Sequence, residues 1–159
     1  MKRLSLFIGL SLFTNVIQAQ HMDSTTVLEG KLTRENLESF EWFKHTYQIY
    51  KPYPDVLNQL SEFKNCSLLV VLGTWCSDSR ELIPQLYRVA DMVGWEKIEL
   101  IGVDRKKQCS SIDIRPLHIE YVPVIMIFDG KQLVGRIVET TIKSIEEDLL
   151  ELLTKFKHH

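Results

Sequence analysis

Five consecutive apolar residues, Leu68-Leu69-Val70-Val71-Leu72, stop at Gly73, and an amphipathic stretch over residues 82–93 follows. A run this short and this uniformly apolar fits a strand buried on both faces, since a half-exposed strand would alternate with polar residues. The amphipathic stretch repeats its apolar positions at helical spacing and meets Gly94, a helix stop. Strand, tight turn and helix open a βαβ unit, which commits the chain to an α/β layer architecture. Residues 98–103, Ile98-Glu99-Leu100-Ile101-Gly102-Val103, supply the next strand. A right-handed crossover makes the two strands parallel, with their C-terminal ends on one edge of the sheet. That edge carries Cys76 and Asp104, and the loop around Pro123 is expected to approach it.

The rest of the chain fits around this unit. Leu37, Phe40, Phe43, Tyr47 and Tyr50 recur at spacings of three or four after Thr33-Arg34-Glu35-Asn36. This predicts one amphipathic helix with an aromatic stripe, broken by Lys51-Pro52-Tyr53-Pro54. The stripe reads as packing onto the domain. A second helix is expected from Pro54 or Asp55 to Phe63, opened by proline. Residues 124–128 and 133–138 flank Asp129-Gly130, a hairpin signal. Ser144-Ile145-Glu146-Glu147 has the form of a capping box at the start of a last helix. Residues 20–31 are polar and expected to be flexible, and residues 104–120 show no pattern that assigns them an element. The expected fold is a central mixed sheet flanked by helices on both faces, with an extra N-terminal helix. The expected divisions are a leader over 1–19, an extension over 20–53 and an α/β domain over 54–157.

Lys2 and Arg3, the apolar residues 4–13 and the small-residue end Ile17-Gln18-Ala19 have the form of a secretory signal peptide. The apolar stretch is shorter than the ~20 residues that span a bilayer. Export to the periplasm or the medium, with cleavage after Ala19, is therefore expected, and no stable membrane insertion afterwards. The formal net charge is −2, and no basic stripe appears, so nucleic acid is not an expected partner. The five histidines share no metal-ligand spacing with the cysteines, and no metal is expected.

An odd cysteine count, three here, leaves an exported chain with a free thiol or an intermolecular bond. Cys76 stands where the strand gives way to the helix, and a helix N-terminus favours an anion, here the thiolate. Cys66 precedes the strand that Cys76 follows; a rise of ~3.3 Å per residue puts them too far apart for a disulfide. Cys109 follows a strand that ends on the same edge as Cys76. It is either a resolving thiol or an ordinary loop residue, and pairing cannot be read from spacing. Asp78 also has two readings. In the first turn it stabilises the helix, and beside Cys76 its charge opposes the thiolate.

Trp75-Cys76, Ser79 one turn on, Pro84 and the stretch Tyr121-Val122-Pro123-Val124-Ile125-Met126-Ile127-Phe128-Asp129-Gly130-Lys131 together resemble the thioredoxin superfamily. They match its active-site helix and its cis-proline strand, over roughly residues 55–156. The Trp-Cys-x-Asp-Ser pattern and Gly135-Arg136-Ile137-Val138-Glu139 are similar to a subgroup of exported bacterial thioredoxin-like proteins. The resemblance implies a thioredoxin-like fold with Cys76 as nucleophile and Ser79 at the resolving-cysteine position, where its hydroxyl would support the thiolate. It also implies a substrate groove of Trp75, Val122 and Pro123, with a cis bond before Pro123 and the Val122 backbone pairing with a partner strand.

Two departures from the family agree with the serine. Val70 takes the place of a buried aspartate, and Leu100 stands near the place of a lysine on the neighbouring strand. Without a resolving thiol, its proton acceptor is dispensable. The implied activity is monothiol thiol–disulfide exchange or isomerisation, without a cofactor, on protein or low-molecular-weight thiols and disulfides. The same residues also fit a redox-inactive peptide-binding or chaperone-like module that keeps the groove without turnover.

Overall fold

The structure, a computed structural model, describes residues 22–157 apart from residue 24. The leader expectation, residues 1–19, lies outside the described residues. Five strands form one mixed sheet: β1 (Gly30–Leu32), β2 (Ser67–Leu72), β3 (Ile98–Gly102), β4 (Val124–Asp129) and β5 (Gln132–Val138). Their order is β1-β3-β2-β4-β5. β2 and β3 are parallel, with Val70 opposite Leu100; the other pairings are antiparallel. Five α-helices complete the fold: α1 (Arg34–Glu38), α2 (Glu41–Ile49), α3 (Pro54–Leu60), α4 (Ser77–Val93) and α5 (Ile145–Lys157).

Side chains alternate across a sheet, and here the two faces are covered unequally. Leu68, Val70, Leu72, Leu100, Ile125 and Ile127 join one cluster with Leu37 of α1, Phe43 of α2, Leu60 of α3, Leu86 of α4 and Leu149 of α5. On the other face Val71, Ile101, Val124 and Met126 are covered by Ile114 and Val122, with Trp75, Cys76, Cys109 and Leu117 packed around them. The expectation of helices on both faces therefore holds for one face. The second face is covered by residues 103–123, whose one regular piece is a 3-10 turn at Arg115–Leu117. Local bonds explain why no α-helix forms there. Asp104 Oδ1 accepts the N–H groups of Lys106 and Gln108 at 2.9 and 2.8 Å, and Asp113 Oδ1 accepts that of Arg115 at 3.1 Å. Side-chain acceptors of this kind compete with helical bonding.

Two further expectations are corrected. The single aromatic helix is two helices. Thr33 and Asn36 form a capping box on α1, Ser39 ends it, and Phe40 takes an extended conformation, with φ −93° and ψ 138°, before α2. The break sends Phe40 fully into the core, where its ring stacks on Trp42 at 5.2 Å. Residues 20–31, expected to be flexible, include β1, which pairs Gly30 with Gly102 and Leu32 with Leu100. A glycine is needed at 102 because a Cβ there would lie 2.4 Å from the Leu28 carbonyl oxygen.

Polar locks tie the extension down. The Tyr50 hydroxyl donates to Glu146 Oε2 at 2.6 Å, and the Tyr53 N–H donates to Oε1 at 2.9 Å, at the first turn of α5. Burial, and then the Glu146 carboxylate, push the Tyr50 pKa upward. Arg34 reaches both oxygens of Asp91 at 2.7 and 2.8 Å, and Tyr47 donates to the same carboxylate at 2.6 Å. α4 ends where Gly94 adopts a left-handed conformation with φ 74°, as its glycine allows. α5 opens on the expected capping box, with the Ser144 hydroxyl donating to Glu147 at 2.9 Å.

Candidate active site

The strand-to-helix turn positions every group around Cys76. The Cys76 N–H donates to the Gly73 carbonyl at 2.9 Å, and Cys76 then caps α4 in an extended conformation, φ −86° and ψ 130°. Its half-buried thiol donates to the Val122 carbonyl at 3.2 Å. The peptide bond between Val122 and Pro123 is cis. The turn and the proline loop therefore meet at the sulfur.

Trp75 lies across the turn. A Cβ on Gly73 would come within 2.6 Å of the indole, so only glycine lets the ring lie there. Its Nε1–H donates to the Val103 carbonyl at 2.9 Å, just beyond β3. The Arg105 guanidinium sits 5.6 Å from the ring centroid, a cation–π arrangement.

Ser79 is fully buried, and its Oγ accepts the Gly73 N–H at 3.3 Å. That bond fixes the turn. Val70 and Leu100 are both buried and face each other across β2 and β3.

The other two cysteines are separated by the sheet. Cys66 belongs to the helix-covered cluster and Cys76 packs on the opposite one. Burial, and then the charge of Asp129, push the Cys66 thiol pKa upward. Cys109 packs on the same cluster as Cys76, with its sulfur 3.5 Å from Ser111 Oγ. It lines an open cleft of about 630 Å³ together with Glu29, Lys106, Lys107, Arg115 and His118. All three thiols are free. Asp78 is half-buried in the first turn of α4 and lines a hollow of about 230 Å³ with Glu81 and Glu139.

Thr74 is a site residue that the sequence reading missed. It is fully buried; its Oγ1 accepts the Leu28 N–H at 3.0 Å and donates to the Thr26 carbonyl at 2.8 Å. Arg80 Nε donates to the Thr74 carbonyl at 2.7 Å. The only hint in the sequence is a polar residue between Gly73 and Trp75, just beyond the apolar strand. No group of His, Cys, Asp and Glu among the described residues could hold a metal ion. No helix among them is long and apolar enough to cross a membrane.

No protein-family model and no curated protein matches this sequence. Two solved structures are similar in fold. A crystal structure of an HIV epitope scaffold has a TM-score of 0.55 at 16% identity, over 78% of this chain and 87% of that one. A protein of unknown function from Pseudomonas aeruginosa has a TM-score of 0.51 at 17% identity, over 79% of this chain and 76% of that one. At such identities the likeness concerns the fold alone.

Proposed function

We propose that the chain is an exported, thioredoxin-like monothiol thiol–disulfide oxidoreductase or isomerase with Cys76 as its nucleophile. The observation that carries this reading is the contact of the Cys76 sulfur with the Val122 carbonyl beside a cis-proline, at the start of a helix. A partner strand that pairs with the Val122 backbone brings its own N–H to that carbonyl. It competes with the thiol for the acceptor and frees the sulfur next to the partner's disulfide. The Cys76 sulfur then bonds one partner sulfur, the partner's S–S bond breaks, and the other sulfur leaves as a thiolate. Trp75 shields the reacting pair and offers an apolar contact. Ser79 holds the turn through Gly73 and supplies no second thiol, so the mixed disulfide persists until an outside thiol attacks it. Polypeptide and low-molecular-weight thiols or disulfides are the partners of such a site.

One observation favours a second reading, a peptide-binding module without turnover. The thiol is engaged by Val122, and positions 70 and 100 offer only apolar side chains. A single variant separates the two. Ser79→Cys places a second thiol one helical turn from Cys76. It is expected to gain catalytic reduction of a protein disulfide by a dithiol, while wild type accumulates mixed disulfides. No mixed disulfide in wild type and no gain in the variant would support the binding module and sink the exchange reading.

A further inference from the structure

The proline loop carries opposite charges at its two ends. Tyr121, half-exposed, lies under the Lys107 ammonium at 5.8 Å, and Arg105, two residues from Lys107, covers the Trp75 ring next to Cys76. Val122 meets the thiol. The Pro123 carbonyl accepts the Glu139 N–H at 2.8 Å, and Glu139 shares a hollow with Asp78 and Glu81. From residue 121 to residue 123 the loop thus runs from a basic end, past the sulfur, to an acidic end. Among the described residues, none of Arg105, Lys107, Asp78, Glu81 and Glu139 takes part in an ion pair. Two carboxylates adjoin the basic end in sequence: Asp104, whose Oδ1 is turned onto the N–H groups of Lys106 and Gln108, and Glu120, which lines the cleft on the Lys106 and Lys107 side. Arg80 is drawn from the acidic end towards Thr74.

Resting on the exchange reading above, we infer that the site selects polypeptide partners by charge order: a basic residue before the reacting cysteine and an acidic residue after it. In a paired strand, the residues two places either side of the cysteine share its face, ~7 Å away along the strand. Antiparallel pairing, the more stable kind per residue, runs opposite to the 121–123 loop. It lays the partner's C-terminal arm beside Lys107 and Arg105, and its N-terminal arm beside Glu139 and Asp78. An acidic C-terminal arm and a basic N-terminal arm then meet their opposites.

Four capped pentapeptides test this, Lys-Ala-Cys-Ala-Glu, Glu-Ala-Cys-Ala-Lys, Glu-Ala-Cys-Ala-Glu and Lys-Ala-Cys-Ala-Lys, each with its cysteine joined to thionitrobenzoate. The Cys76 sulfur bonds the peptide sulfur, the bond to thionitrobenzoate breaks, the coloured thiolate leaves, and the Cys76 proton goes to solvent. Thionitrobenzoate departs because the more acidic thiol leaves faster. The full-length Cys109→Ser chain isolates the reaction at Cys76, and mass spectrometry locates the adduct. At low salt, Lys-Ala-Cys-Ala-Glu should react about three- to tenfold faster than its reverse, a modest factor because exposed ion pairs are weak. Both like-charged peptides should fall between. The preference should fade in high salt and vanish in Arg105→Glu/Lys107→Glu, where Lys-Ala-Cys-Ala-Lys should become the fastest of the four. Equal rates, a preference for the reverse order, or an unchanged order in the double variant would overturn the charge-order inference alone. Absence of any adduct at Cys76 with all four peptides would overturn the exchange reading, and this inference with it.

Discussion

On one face of the sheet five helices bury Phe43, Leu86, Leu149 and their neighbours; on the other, residues 103–123, with Trp75 and Cys76, cover Val71, Ile101 and Met126. The first face is held redundantly. Its apolar side chains come from every helix, and two carboxylates, the buried Glu146 and the more exposed Asp91, tie the extension to it. The second face rests on a small cluster and on turns closed by single side chains. Cys76, Cys109 and the proline loop all belong to this second face. The proposed chemistry falls on the more thinly covered face, where local opening is expected to cost less.

The largest effect should come from comparing core truncations on the two faces. Leu149→Ala, at a fully buried helix position, is expected to cost about 2–5 kcal/mol. Ile114→Ala, on the loop-covered face, should fall at the low end of the same range, about 2 kcal/mol, because its surroundings can collapse. Urea unfolding measures both, and equal losses would break the comparison.

Next in size is the lock under α5. Glu146→Ala strips the half-buried Tyr50 hydroxyl and the Tyr53 N–H of their acceptor, and should cost about 1–3 kcal/mol in all. A loss below about 1 kcal/mol would mean that water reaches this carboxylate.

Thr74 joins the two regions. Thr74→Val removes the acceptor of the Leu28 N–H and the donor to the Thr26 carbonyl, and should cost about 1–2 kcal/mol. The readout is hydrogen exchange at β1, which should quicken while the protection of α4 and α5 stays. Unchanged exchange at β1 would remove Thr74 as its anchor.

Acid should reach both regions, with the smallest effect at the loop. Hydrogen bonds from Arg115 hold Asp113 down at about 2. Burial alone would raise Asp91, but the bonds from Arg34 and Tyr47 outweigh it and lower its pKa. A depressed carboxylate contributes stability above its unfolded value of ~3.9 and loses it as pH falls through its folded value. Unfolding midpoints should therefore decline below about pH 4, with Asp91→Asn removing more of the decline than the exposed Asp113→Asn. Equal contributions from the two variants would contradict the ranking.

The helix-covered face was largely legible in the sequence because apolar spacing encodes it directly. β2, α4 with its Gly94 stop, the 129–130 hairpin and the capping box on α5 all follow from such local signals. Phe40 was misread because periodicity alone cannot tell one helix from two with an extended residue between them. β1 was missed because its anchor, Thr74, lies 46 residues away from Leu28 in the chain. The loop-covered face was illegible for a related reason: Asp104 and Asp113 fold it by side-chain turns, which leave no period. At the site, the meeting of Cys76 with the proline loop was foreseen, whereas the inward turn of the Ser79 hydroxyl depends on where the Gly73 N–H points.

The central claim is that Cys76 attacks a disulfide and then stops. Reduced full-length chain mixed with hydroxyethyl disulfide, quenched with acid and mapped by mass spectrometry, tests it most directly. The expected result is a mixed disulfide at Cys76 that persists after excess reagent is removed, is released by added thiol, and is lost in Cys76→Ser. A mixed disulfide at Cys109 alone, or rapid conversion of the Cys76 adduct into a Cys76–Cys109 disulfide, would contradict it.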